Sequence, residues 1–163
     1  MLGCNGYDII DLGVMVPSDK ILSEAKSQGA DMIGLSGLIT PSLDEMVHVA
    51  KEMERMNFNI PLLIGGATTS KKHTAIKIDK NYSGPTIHIT DASRSVGAVG
   101  KLLNKSEKNQ YEQSVKEEFE QIRNTLDKKK IKKLSVDEAR KRKFLVDWNE
   151  HRLLRPNFTG TKV

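Results

Sequence analysis

The chain has 163 residues, a net charge of +5, 37% hydrophobic residues and one cysteine. This length is enough for one domain of ordinary size and an appended segment. The single cysteine, Cys4, excludes a disulfide within the chain. With no signal-peptide pattern and no apolar run of about 20 residues, we expect a cytoplasmic protein that does not span a membrane.

The positive charge is concentrated in one part of the chain. Residues 105–143 hold 13 Lys/Arg and 8 Asp/Glu, a surplus of five that equals the net charge of the whole chain. A basic segment can indicate nucleic-acid binding. Here, however, the lysines alternate with glutamates, aromatic residues are few and no recognition motif is present. We therefore predict a charged, solvated connecting helix and no nucleic-acid partner.

Apolar runs alternate with helical patterns through the first two thirds of the chain. Strands are predicted at residues 7–13, 31–37, 60–66 and 86–90. Helices are predicted at residues 16–29, 43–57 and 71–80, the last of these capped by Ser70. A fourth helix, capped by Asp91 or Ser93, is predicted to end at Leu103. Strands that alternate with helices through short connections predict an α/β fold, a doubly wound parallel sheet with helices on both faces.

Two strand ends carry the residues that we expect to bind a ligand. IGLSGLITPSLDE (33–45) places Ser36 and Thr40 where a strand ends, and PLLIGGATTS (61–70) ends a strand in Gly65–Gly66. In open α/β sheets, ligands bind at the carboxyl edge of the strands. Ser42, three residues before Glu45, is also predicted to cap the following helix in a capping box.

The sequence changes character after residue 104. Residues 106–133 place apolar side chains at helical spacing among many charges, which predicts a long amphipathic helix carrying Tyr111, Val115, Phe119, Ile122 and Leu126 on one face. Ser135 and Glu138 form a second capping-box pattern, which predicts a short basic helix to about residue 143. Residues 144–160 include Trp148 and have no periodicity.

Several strings together resemble one family. DLGVMVP (11–17), LSGLITPSLDEM (35–46), IPLLIGGATTS (60–70) and NYSGPT (81–86) closely resemble the cobalamin-binding domain of cobalamin-dependent methionine synthase. The resemblance covers residues 1–104. EARKRKF and VDW (within 138–148) resemble the connecting segment and the start of the reactivation domain, which binds adenosylmethionine. The predicted divisions are therefore residues 1–104, 105–143 and 144–163.

The resemblance implies a flavodoxin-like (Rossmann-like) fold that binds cobalamin, as methylcobalamin, in the crevice of its sheet. Ser36 would contact the nucleotide tail of the cofactor and Thr40 would lie against the corrin ring. Ala92 belongs to the surroundings of the tail, and Ser42 corresponds to a serine in the hydrogen-bonded relay behind the cobalt ligand. Gly65 and Gly66 would let the backbone approach the nucleotide.

One departure from the family concerns the metal. Its cobalt ligand is a histidine in an Asp-x-His-x-x-Gly motif, and none of the chain's four histidines has that pattern: His48, His73, His88 and His151. We therefore predict no metal-ligating residue and weakened cobalamin binding. By the resemblance, Met1 lies near the end of the family's first helix, so we expect a domain truncated at its amino end that lacks the first strand.

The expected function is that of a cobalamin-binding carrier fragment of methionine synthase. In the intact enzyme it would take part in methyl transfer from methyltetrahydrofolate to homocysteine. We predict no catalytic residue in this chain and no catalysis by the chain alone. The alternatives are a non-catalytic module completed by an upstream partner chain that carries the missing strand, or a non-functional truncated product.

Overall fold

The computed structural model describes residues 1–128, 134–147 and 156–161. The chain divides into two compact units, Met1–Lys129 and Lys130–Val163. In the described part of the chain, no helix is long and apolar enough to cross a membrane.

The first unit alternates helices and strands after a short 3-10 turn at Gly3–Asn5. The strands are β1 (Ile33–Ser36), β2 (Leu62–Gly65) and β3 (Thr86–His88). The helices are α1 (Ser18–Ser27), α2 (Ser42–Arg55), α3 (Lys71–His73), α4 (Ala92–Leu103) and α5 (Lys108–Lys128).

The three strands form one parallel sheet in the order β1-β2-β3. Side chains alternate between its two faces, and each face has its own apolar cluster. One cluster joins Ile33, Leu62 and Ile64 to α1 and α2; the other joins Leu63 and Ile87 to Val99 and Leu102 of α4. The predicted α/β class, with helices on both faces of a parallel sheet, is confirmed.

The predicted strand at residues 7–13 is wrong. This segment has no ladder in the structure, and Ile9 and Ile10 are 55% and 52% exposed. A strand is defined by hydrogen bonds to a neighbour, and within the described residues β1 pairs only with β2. The apolar pattern of residues 7–13 therefore lacks the partner that it needs.

The predicted capping box at Ser42 is also wrong. The α2 N-cap is Pro41, and no side chain accepts a hydrogen bond there. A turn before the helix supplies the acceptors instead, because the Ser42 and Leu43 amides donate to the Ile39 and Thr40 carbonyls at 3.0 Å each. The Ser42 hydroxyl is not needed as a cap. The predicted cap at Asp91 is confirmed, with its carboxylate accepting from the Ser93 and Arg94 amides.

The predicted helix at residues 71–80 is present but irregular. Ser70 caps its start by accepting a hydrogen bond from the His73 amide at 3.1 Å. After α3 the chain continues as a π-helical segment, Thr74–Ile78, and a 3-10 turn, Asp79–Asn81. Thr74, Ala75 and Ile78 are buried, so this segment packs into the fold despite its irregular hydrogen bonding.

The long helix α5 packs against other elements of the first unit. It contacts α4, α3 and the π-helical segment, and Phe119 is only 1% exposed. Arg123 donates to the Ala75 carbonyl at 2.9 Å and to Asp79 at 2.7 Å. The predicted amphipathic helix is therefore confirmed through Lys128: its apolar side packs on the fold, and most of its polar residues are exposed to solvent. Residues 129–133 lie outside the described residues, and the predicted domain limit at residue 104 stays a prediction.

The second unit contains one described helix, α6 (Val136–Lys141). The predicted capping box is confirmed: the Ser135 hydroxyl accepts from the Glu138 amide, and the Glu138 carboxylate accepts from the Ser135 amide. Phe144 is 88% exposed. Trp148 and His151 lie outside the described residues, and the predicted start of a further domain at residue 144 stays a prediction.

Candidate functional site: a slot at the carboxyl edge of the sheet

A cavity of about 530 Å³ opens at the carboxyl ends of the strands. It lies between one sheet face and the first turn of α4. Small side chains form much of its wall, and the residues that define it are Gly34, Ser36, Leu63, Gly65, Ala92 and Ser95. We call this cavity the slot. Its position is the one at which open α/β sheets bind ligands.

The strand register explains why the slot is open. Ser36 pairs with Gly65, and Gly34 pairs with Leu63. Residues two apart in a strand share a face, so Gly34, Ser36 and Gly65 all face α4. With no large side chain at these three positions, the sheet and the start of α4 cannot fill the space between them.

The two predicted glycines have different roles. Gly66 has φ +102°, and a Cβ there would overlap the carbonyl of Gly37. The fold itself therefore requires glycine at 66. At Gly65 a Cβ would meet the Ile89 carbonyl oxygen at 3.5 Å, an ordinary contact. A side chain at Gly65 is compatible with the fold but would occupy the slot.

Four of the six predicted cofactor residues line the slot: Ser36, Gly65, Gly66 and Ala92. Within the described part of the chain, no hydrogen bond engages the Ser36 hydroxyl, so it is available to a ligand. Thr40 and Ser42 are not in the wall of the slot. Thr40 is exposed in the loop after β1, beside Leu38 and Ile39, which are 77% and 62% exposed.

Sequence reasoning missed three residues of the slot. Thr69, His88 and Asp91 also line it. Near the end of the third predicted strand, only Ala92 was predicted, and it came from the family resemblance, although this strand end lies at the same edge as the other two. The polar residues at the end of β3 and just after it were the signal that could have identified His88 and Asp91.

Thr69 and His88 form a hydrogen-bonded pair beside the slot. The Thr69 hydroxyl donates to the Gly66 carbonyl at 2.9 Å, and it lies 3.1 Å from His88 Nε2. The two bonds form together when His88 carries its proton on Nε2 and donates to the Thr69 oxygen. Nδ1 is then buried without a partner among the described residues.

Electrostatics at this edge favour neutral His88 and ionised Asp91. Burial lowers the pKa of His88, and the positive charge of Lys71 lowers it further. A hydrogen bond from the Ser93 side chain lowers the pKa of Asp91, and the amides of Arg94 and Ser93 act in the same direction. Asp91 therefore places a negative charge at the start of α4, where the helix dipole stabilises it.

The structure brings no metal-ligand cluster together within the residues that it describes. No group of three or more His, Cys, Asp or Glu side chains is arranged to hold an ion. His48 is exposed on α2, and His73 and His88 lie on different elements.

These features define a flavodoxin-like α/β domain with a ligand slot at the carboxyl edge of its sheet. Residues 1–81 match the model of the B12 binding domain family. The fold is similar to that of a cobalamin-binding protein from Desulfitobacterium hafniense DCB-2, with a TM-score of 0.55 and 21% identity. The match covers 63% of this chain and 48% of that one, so the chain spans about half the length of the solved structure.

The slot fits part of a cobalamin molecule. A volume of about 530 Å³ is smaller than the whole cofactor but large enough to admit its nucleotide base. The Ser36 hydroxyl offers a polar contact, and a Cβ at Gly65 would remove space that the protein leaves open. The exposed Leu38 and Ile39 follow β1 at the same edge and provide apolar surface outside the slot.

Proposed function

We propose that this chain is the cobalamin carrier of a methionine synthase and takes part in methyl transfer from methyltetrahydrofolate to homocysteine in the intact enzyme. The single observation that carries the proposal is the slot, which is formed by Ser36, Gly65 and Ala92 at the carboxyl edge of the sheet. The matching strings around these residues, from LSGLIT to GGATTS, support the family resemblance.

In this proposal the slot holds the nucleotide tail. Ser36 hydrogen-bonds to the tail, and Gly65 and Ala92 leave room for it. Thr40, with the exposed Leu38 and Ile39, lies against the corrin ring, which is too large to enter the slot. Ser42 corresponds to the relay serine of the intact family domain, whose cobalt-ligand histidine has no counterpart among the histidines of this chain. Bound cobalamin supplies the metal that carries the methyl group, and the chain's own residues hold and orient it.

The chain contributes binding rather than substrate activation. The described residues contain no cluster that could hold a metal by itself, and the sequence has no histidine in the Asp-x-His-x-x-Gly pattern. We expect no methionine formation by the purified chain supplied with methylcobalamin and both substrates. Turnover under those conditions would contradict this part of the proposal.

The direct test is a titration of the purified chain with methylcobalamin, followed by its visible spectrum and by co-elution on a sizing column. We expect co-elution with a base-off spectrum, because the tail would be detached from cobalt and placed in the slot. The control is Gly65→Val, which fills the slot. Co-elution of this variant with the same affinity, or no binding by the wild type, would contradict the proposal.

A second candidate is a non-catalytic module that a partner chain completes by adding a strand. The observation in its favour is the outer edge of β1. The amides of Ile33 and Gly37 bond toward β2. By alternation, the amides of Gly34 and Ser36 point outward, where no described strand pairs with them. An exposed strand edge is a template for pairing with another chain.

Hydrogen exchange tests this second candidate. The probe is a polypeptide that carries an Asp-x-His-x-x-Gly segment and the strand preceding it. We expect the Gly34 and Ser36 amides to exchange slowly only when this polypeptide is added, with Ile33 and Gly37 as internal references. Unchanged exchange at Gly34 and Ser36 would exclude strand addition.

A further inference from the structure

Gly34 is a glycine that the fold does not need. It lies in the middle of β1 with an ordinary backbone conformation, unlike the positive-φ glycines such as Gly66. A Cβ at Gly34 would meet no described protein atom within 4 Å. Glycine inside a strand is also less favourable than alanine, because it loses more backbone freedom on folding. Neither steric nor backbone constraints within the domain account for its presence.

The position of Gly34 in the wall of the slot suggests that glycine at 34 leaves room for a ligand. It lines the cavity, shares a face with Ser36 and lies beside Leu63 of β2. Two residues along a strand correspond to about 6–7 Å, so Gly34 lies that far below the level of Ser36. Glycine in a strand often marks a close approach by a ligand or by another backbone.

We propose that Gly34 sets the depth of the slot and selects for ligands whose tail ends in a flat aromatic base. This inference rests on the proposed function and adds a specificity-determining residue to it. With glycine at 34, a base can pass Ser36 and reach Leu63, which provides an apolar contact at depth. A side chain at 34 would occupy the same volume and stop the base near the level of Ser36 and Gly65.

The residue types in the wall of the slot suit a ligand whose tail ends in an aromatic base. Leu63 and Ala92 contribute apolar atoms to the wall of the slot, and Ser36 and Ser95 contribute hydroxyl groups. Such a wall suits a ring with apolar faces and a few polar atoms at its edge. It offers no positive charge to a phosphate at the depth of Gly34.

The experiment compares two corrinoids on three proteins. Cobalamin carries a nucleotide tail that ends in a benzimidazole, and cobinamide has the same corrin ring without the nucleotide. The proteins are the wild type, Gly34→Val and the control Gly97→Ala. Gly97 is an exposed glycine of α4 that also has no atom within 4 Å of an added Cβ, but it does not line the slot.

We expect Gly34→Val to bind cobalamin about 10- to 100-fold more weakly, as overfilling a packed site does. Its melting temperature should be unchanged or higher, since valine favours strands. Its affinity for cobinamide should equal that of the wild type, and Gly97→Ala should bind both corrinoids normally. Gly34→Ala should give an intermediate loss for cobalamin alone.

The outcomes separate this inference from the proposed function. If the wild type binds cobalamin and folded Gly34→Val binds it equally well, Gly34 does not set the depth. Equal losses for cobalamin and cobinamide would also overturn the inference, because the effect would not depend on the tail. If Gly34→Val fails to fold, wild-type affinity of folded Gly34→Ala for cobalamin would overturn it. If the wild type binds neither corrinoid, the proposed function fails and the inference fails with it.

Discussion

The two edges of the sheet, the β1 side and the β3 side, differ in how they are covered by the rest of the chain. On the β3 side, Thr86 and Ile87 are buried, and the neighbouring π-helical segment contacts α5. Phe119 of α5 is buried, and Arg123 bonds the Ala75 carbonyl of that segment. On the β1 side, Gly34 and Ser36 are exposed, and the segment at residues 7–13 forms no ladder. The residues that line the slot come from both the exposed β1 side and the covered β3 side.

This difference shows that a local pattern becomes structure only where a partner is available. Residues 7–13 have a strand pattern but no neighbour to pair with, and Ile9 and Ile10 remain about half exposed. Residues 108–128 have the pattern of a charged helix, yet this helix packs on the fold and its Phe119 is buried. Tertiary partners, rather than propensity, decide both cases.

The strongest test of this comparison is Phe119→Ala. Phe119 is 1% exposed, and loss of a buried phenylalanine costs about 3–5 kcal/mol of unfolding free energy. Phe144→Ala is the matched control because Phe144 is 88% exposed, and it should change stability by less than about 0.5 kcal/mol. Urea unfolding measures the change in unfolding free energy for both variants. Equal midpoints for Phe119→Ala and the wild type would show that α5 does not pack on the β3 side in solution.

The next test concerns the close packing of the loops after β1 and β2. Gly66→Ala places a side chain at φ +102° and against the Gly37 carbonyl, so we expect a loss of about 2–4 kcal/mol. Gly65→Ala should leave the melting temperature within a few degrees of the wild type, because its Cβ has ordinary contacts. Thermal unfolding distinguishes the two. Equal stability of both variants would mean that the loop at Gly66 is looser than the structure shows.

The parts of the fold that were predictable are those with short-range signals. The cores of the three strands, the Ser70 and Asp91 caps and the capping box at Ser135 followed from local residue types. The residues of β1 and β2 in the slot, Ser36 and Gly65, followed from the position of strand ends. What could not be predicted depends on distant parts of the chain. The docking of α5 requires the surface that α3 and α4 present, and the role of His88 requires the neighbouring Thr69.

A smaller effect separates two cation–carboxylate pairs that α5 makes with the rest of the unit. The Arg123–Asp79 pair is 2.7 Å long with side chains 22% and 14% exposed, and Arg123 also bonds the Ala75 carbonyl. The Lys71–Glu118 pair has the same length, but its side chains are 43% and 47% exposed. We expect Arg123→Met to lower the unfolding free energy by about 1.5–3 kcal/mol. Lys71→Met should lower it by less than about 1 kcal/mol.

Urea unfolding at low and high salt checks this difference. The effect of Lys71→Met should disappear at high salt because an exposed pair is screened, whereas most of the effect of Arg123→Met should persist. Similar losses for the two variants would show that the partly buried pair holds α5 no better than the exposed one. The docking of α5 would then depend on its apolar contacts, such as those of Phe119 and Tyr111.

The smallest expected effect concerns two serines at the starts of helices. Ser70 accepts a hydrogen bond from the His73 amide on the covered side, so Ser70→Ala should cost about 1 kcal/mol. Ser42 starts α2 after the exposed loop that follows β1, and its hydroxyl makes no cap bond because the Ile39 and Thr40 carbonyls already accept from the helix amides. Ser42→Ala should therefore change the unfolding free energy by less than about 0.5 kcal/mol. A loss as large as that of Ser70→Ala would show that the Ser42 hydroxyl caps α2 in solution. In that case a serine N-cap would stabilise a helix on the exposed β1 side as it does on the covered β3 side.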